Sequence, residues 1–217
     1  MHQPTAPRLK PLLRGVSHEI AAFIAAPASL ALVASARSPE ARVGAATYGA
    51  SLFGLFLASA VFHRPTWSPR ARRIVARFDN SAIFLLIAGT YTPICLIVGG
   101  ALGTGLLTTV WMGAALGIVL TVSWEAVPKP LMAGIYVLLG WVFVPAMASL
   151  RAALGTQALV LVVAGGLVYT AGAVVYALRR PDPFPRVFGY HEIFHALVIV
   201  AAACHFVAVR QAIRALG

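Results

Sequence analysis

GYHEIFHALVIVAAACHFVAVR, residues 189–210, is an apolar run that opens with His191-Glu192-Ile193-Phe194-His195. About 20 helical residues at 1.5 Å rise cross a hydrocarbon core of about 30 Å, so this run has the length of a membrane span. In a helix, positions i and i+4 share one face, and His191 and His195 therefore present two imidazole nitrogens to a single metal ion. Ionisable groups inside an apolar span are costly and mark binding, proton transfer or coordination. The pair needs partners from elsewhere in the chain.

Six further apolar stretches precede it, at 17–36, 41–63, 78–98, 103–123, 131–150 and 157–178, each of spanning length. Breakers punctuate the short connections: Ser38-Pro39, Arg64-Pro65, Ser68-Pro69, Gly99-Gly100, Pro128-Lys129-Pro130 and the run from Pro181 to Pro185. Pro27, Pro93 and Pro145 fall inside spans, where each is expected to kink its helix. The composition agrees: 60% of the 217 residues are hydrophobic and 11% charged, and the mean hydropathy is +0.86. A soluble domain carries about 25% charged residues. The expectation is an all-α integral membrane protein with seven transmembrane helices in one domain, residues 17–217, after a disordered, uncleaved basic tail over residues 1–16.

The net charge of +11 sits between the spans. It is read as a set of topology determinants and lipid-headgroup contacts, and no nucleic-acid partner is expected. With the N-terminus inside, the cytoplasmic segments hold twelve of the 17 Lys and Arg residues, including Arg64, Arg70, Arg72, Arg73 and Arg77. The positive-inside rule then predicts a cytoplasmic N-terminus and an external C-terminus. Cys95 and Cys204 each lie within a predicted span, so no disulfide framework is expected. Gly113 and Gly117 form a small-xxx-small pair, and Gly165, Gly166 and Gly172 line the sixth span; either helix backbones approach closely there or the glycines merely thin these helices. Trp111, Trp124 and Trp141 read as interfacial anchors or packing residues.

On this orientation the polar residues collect at the cytoplasmic ends of the spans: His18 and Glu19 in the first, Ser59 and His63 in the second, Asp79 and Asn80 in the third, Glu125 after the fourth, and His191, Glu192 and His195 in the seventh. Three neutral imidazoles and a water make a catalytic zinc site with one open position, and His63, His191 and His195 are the natural three. Asp79 would hydrogen-bond the water and act as general base, or bind the metal directly. The Ser59 hydroxyl, one turn from His63, would orient a substrate carbonyl or the water. His18 and Glu19 would support the site or cap the first helix. The plain alternative is that all of these are helix-end groups snorkelling to the headgroups. Two separate i, i+4 pairs at one depth argue against it. His205 lies about 15 Å further along the helix than His195 and cannot share the metal. The run at 191–195 also satisfies H-E-x-x-H, the zincin pattern of two zinc ligands and a glutamate base. Against a protease, Glu192 points about 100° around the helix from His191, and no further ligand follows except His205.

The chain resembles the hemolysin III family, the bacterial branch of the progestin and adipoQ receptor group of seven-span proteins. The resemblance is carried by SAVFH at 59–63, FDNSAIFLLIAGTYTP at 78–93 and HEIFH at 191–195, and it extends from Ser17-His18-Glu19 to His205-Phe206. It implies a zinc ion held by His63, His191 and His195, with Asp79 bound through water, Ser59 beside it and the N-terminus in the cytoplasm. One departure is Asn80, where the family often has His, and this weakens a proton-shuttle role there. Relatives in the wider superfamily hydrolyse lipid amides such as ceramides, and bacterial members are associated with membrane-fluidity homeostasis. The resemblance thus implies a zinc-dependent hydrolase of lipid amide or ester bonds in the bacterial inner membrane, with membrane lipids as substrate. The alternative is a receptor, channel or cytolytic pore with a structural zinc.

Overall fold

A computed structural model describes residues 10–124 and 127–217. Glu125 and the tail residues His2 and Arg8 lie outside the described residues. The described chain is helical throughout: α1 Val16–Ser35, α2 Pro39–His63, α3 Pro69–Val98, α4 Gly100–Ser123, α5 Lys129–Gly140, a 3-10 turn at Val144–Ala146, α6 Met147–Leu178 and α7 Tyr190–Ala215. Six of its helical stretches are long and apolar enough to cross a membrane, with Lys129–Leu178 counted as one. Large apolar side chains face outward along them, as at Phe23, Leu30 and Leu138, each more than 70% exposed. An outward apolar surface of this extent is what a helix bundle presents to lipid.

Local chemistry explains where the helices begin. Ser38 and Ser68 each accept a hydrogen bond from the backbone N–H three residues on, at Ala41 and Ala71, and proline follows at the first helical position of α2 and α3. The second cap makes α3 longer than the sequence suggests, by nine residues at its start. Its 30 residues are about 45 Å long against a core of about 30 Å, so its first turns, carrying Arg70, Arg72, Arg73 and Arg77, extend beyond the apolar window.

The fifth apolar stretch departs from expectation. In place of one kinked span over 131–150, α5 stops at Gly140 and the chain passes through the 3-10 turn containing Pro145 before α6 begins. Proline removes one donor. The carbonyl it would have met, Trp141 O, accepts from Val144 N at 3.1 Å instead, and two further groups at the break are met from α3, where the Tyr91 hydroxyl donates to Gly140 O at 2.9 Å and accepts from Phe143 N at 3.1 Å. Within α6, Gly155 leaves the helical conformation at φ 80° and ψ 165°, a left-handed φ that glycine tolerates best.

Consecutive helices pack as neighbours, and α7 in addition touches α1, α2, α3 and α6. Two apolar cores result, one joining α1, α2 and α7 with part of α3, the other joining α3 to α4, α5 and α6. The glycines at 113 and 117 act differently from the close backbone approach open to them. They admit side chains, Leu139 of α5 against Gly113 and the Phe84 ring of α3 against Gly117. Gly165 receives the His205 ring and also lies close to the backbone oxygen of Ala201 in α7, as the small-residue reading expects.

The segment before α1, which the sequence places in a disordered tail, is hydrogen-bonded from residue 10 onward. Leu12 N and Leu13 N donate to Arg186 O and Val187 O, and Lys10 Nζ donates to Arg64 O at 2.8 Å.

A candidate metal centre at one end of the bundle

Because α7 touches α1, α2 and α3, the polar ends of four helices meet. His63 of α2 and His191 and His195 of α7 are buried, and one ring nitrogen of each lies within 4.8 Å of the others. The closest approach, His63 Nε2 to His191 Nε2, is 3.2 Å. Two ligand nitrogens at about 2.0–2.1 Å from a tetrahedral ion stand about 3.3 Å apart, so this spacing suits a shared metal. The Nδ1 atoms of His191 and His195 are buried with no hydrogen-bond partner. Each imidazole gives one nitrogen to an ion, so these Nδ1 atoms do not carry the fit; it rests on three buried nitrogen donors, one from each histidine, within reach of one another. The donor set therefore fits a metal ion.

Asp79 of α3 approaches from the third side, its Oδ2 3.6 Å from His63 Nε2. That exceeds a direct hydrogen bond, so the carboxylate faces the cluster without being consumed by His63. Ser59 is buried one turn from His63 on α2. With Asp79, His191 and His195 it lines a cavity of about 550 Å³, while His63 is not among the walls. Asn80 also lines it, and its carbonyl accepts from the Tyr136 hydroxyl at 2.9 Å.

His18 belongs with this group. Its ring stacks on that of His195, with centroids 3.8 Å apart and planes 10° apart, and its Nε2 lies 3.3 Å from the His195 carbonyl oxygen. Glu19 instead turns outward and pairs with Arg64 at 2.7 Å. His205 stands apart: its Nε2 lies 3.1 Å from Val162 O, and its ring meets that of Tyr169.

Glu192 has both oxygens engaged elsewhere. Oε1 bonds to Arg14 Nε, and Oε2 accepts from Gly189 N at 2.8 Å. Neither is turned to the histidines, which removes the residue a zincin mechanism would use as base. Arg14 is a partner that helical periodicity could not reveal, since it precedes the first span. The only available signal was the need of a buried glutamate for a cation. Two aromatic neighbours were likewise unforeseen, Tyr176 and Phe194, whose rings lie 5.8 and 5.9 Å from that of His191.

Comparison with known proteins agrees with the arrangement. A family model described as "Haemolysin-III related" matches residues 7–206. The chain is 32% identical to the Hemolysin-3 of Bacillus cereus, over 90% of its own length and 88% of that protein's. It is 31% identical to the Hemolysin-3 homolog of Bacillus subtilis, over 90% of each. Likeness extends to the human monocyte to macrophage differentiation factor, at 29% identity over 77% of this chain and 69% of that protein. The chain belongs to the haemolysin III family and is an integral membrane protein.

Proposed function

We propose that this protein is a zinc-dependent hydrolase of lipid amide or ester bonds, acting on membrane lipids from within a bacterial inner membrane. The observation that carries the reading is the convergence of His63, His191 and His195 beside a cavity that Asp79 and Ser59 also line. Zinc suits three neutral imidazoles, and when bound it supplies Lewis acidity to a carbonyl and to water. Asp79 takes a proton from the attacking water, and the Ser59 hydroxyl donates a hydrogen bond to the carbonyl oxygen as charge develops there. The acyl C–N or C–O bond breaks as the new C–O bond forms. Asp79 then returns its proton to the leaving nitrogen or oxygen, so one water is consumed for each bond cleaved.

The chain crosses the membrane seven times in this reading, with the N-terminus and the histidine cluster on the cytoplasmic side. A continuous helix over the 50 residues Lys129–Leu178 would be about 75 Å long, more than two bilayer cores. The non-helical Gly155 and the packing of α5 against α6 support two passes there. Inside-facing segments rich in Lys and Arg support the orientation.

The deciding experiment is metal analysis of the purified protein together with mass spectrometry of lipid products, wild type beside Asp79→Ala. Bound zinc with fatty-acid release in the wild type alone is the expected result. Zinc-loaded protein that releases nothing from any lipid amide or ester would point to a receptor, channel or pore with a structural metal.

A further inference from the structure

The wall of the cavity changes character along α3. Arg72, Arg73 and Arg77 line it before the level of Asp79, and Ile83, Ile87 and Tyr91 line it beyond. Steps of three or four residues keep the two groups on one helix face. Lys129, the first residue of α5, lines the same cavity with its Nζ 4.4 Å from the centre of the Tyr176 ring. Among the described residues, Asp79 is the one carboxylate in the wall, set against four cations. A low-dielectric cleft lined by one sign of charge concentrates ligands of the other sign.

The preference for Lys and Arg on the cytoplasmic side puts charge near one membrane face but does not choose the side of a helix it occupies. Of the four arginines of α3, Arg72, Arg73 and Arg77 border the cavity and Arg70 does not; Arg72 and Arg73 are solvent-exposed like Arg70, and Arg77 is half-buried. We propose that Arg72, Arg73, Arg77 and Lys129 bind the phosphate headgroup of the lipid substrate, whose acyl chain lies deeper along α3. This rests on the hydrolase reading above, and it names the substrate as an amphiphile with an anionic phosphate head. A phosphate offers several acceptor oxygens to share among guanidinium forks and an ammonium group. Arg77 and Arg73 precede Asp79 by about 3 and 9 Å along the helix axis, the reach of a headgroup a few bonds from the carbonyl under attack. Hydrolysis leaves that phosphate esterified to the departing fragment.

The test uses the zinc-loaded protein in maltoside micelles. Binding of hexadecyl phosphate and of hexadecanol is followed by tryptophan fluorescence, since Trp124 and Trp141 line the cavity. Hexadecyl phosphate should bind at least tenfold more tightly. R72Q/R77Q, with zinc content equal to wild type as evidence of folding, should lose that preference. R72K/R77K should keep most of it, and R70Q should behave as wild type. Equal affinity for the two amphiphiles, or undiminished preference in R72Q/R77Q, overturns the proposal. Inorganic phosphate binding as tightly as hexadecyl phosphate also overturns it, in favour of a free-anion site. Turnover is measured separately on one N-acyl amide with a phosphate or a hydroxyl head, and the phosphate form should be cleaved with at least tenfold higher kcat/KM. Cleavage of neither form sinks the hydrolase reading, while the binding series still judges the headgroup site.

Discussion

His18 lies flat against His195, ring on ring at 3.8 Å, and meets the carbonyl of the same residue through its Nε2. The first helix thereby sets the orientation of an imidazole that the seventh helix supplies. Groups that orient a metal ligand typically contribute tenfold to a hundredfold in metal affinity. His18→Ala should weaken zinc binding by about that factor, measured by competition with a chelator of known affinity. Unchanged affinity would reduce the stack to ordinary packing.

Removal of His63, His191 or His195 as alanine should each cause severe loss of bound zinc, because a three-histidine site keeps only two protein ligands. His205→Ala should leave the stoichiometry as it is, since that ring is held at Val162 O, away from the cluster. Metal content by plasma mass spectrometry decides, and zinc loss in His205→Ala would contradict the geometry.

The two carboxylates near the histidines should behave oppositely. Asp79→Asn should retain zinc and lower turnover about a hundredfold to ten-thousandfold, as loss of a general base does. Glu192→Gln should affect turnover much less, because both of its oxygens are already engaged with Arg14 and Gly189. A larger rate loss in Glu192→Gln than in Asp79→Asn would restore the zincin mechanism.

Arg14→Ala tests the tie between the chain start and α7. It would leave the Glu192 side chain, only 3% exposed, without its cation. Breaking a buried pair from one side costs about 3–5 kcal/mol, somewhat less here because Arg14 keeps partial contact with solvent. Thermal unfolding in detergent should show a clear fall in midpoint. A midpoint equal to that of wild type would mean that water replaces the guanidinium.

Topology has a direct assay. A reporter fused after Gly217 should face outward, and one inserted between Pro65 and Arg77 should face the cytoplasm. Both reporters on one side would refute seven passes.

Much of the candidate site was legible because its chemistry repeats at helical spacing. Ser59 with His63 and His191 with His195 declare a shared face without any coordinates, and Asp79 stands at the matching depth on α3. The break after Gly140 was not legible, since the group that sustains it, the Tyr91 hydroxyl, comes from a helix 49 residues earlier. Pro145 alone announced a kink. The glycines of α4 misled for a similar reason: small residues permit close approach, but whether a backbone or a ring such as Phe84 enters depends on the neighbouring helix. That Arg72, Arg73 and Arg77 border the cavity could be learned only by knowing which side of α3 faces it.

Glu192 also explains why a protease-like string occurs here at all. Tyr190 opens α7, so Glu192 occupies the third helical position, where a glutamate reaches back to the N–H of the residue before the helix. Its place in the sequence is dictated by how a helix starts. The histidines beside it are placed by where α7 meets α2. Two unrelated demands, spaced one residue apart, spell H-E-x-x-H by coincidence. Position relative to the helix start separates such a string from a hydrolytic one: a glutamate in the first turn, bonded to the preceding backbone, serves the fold, while one further into a helix is free to serve a reaction.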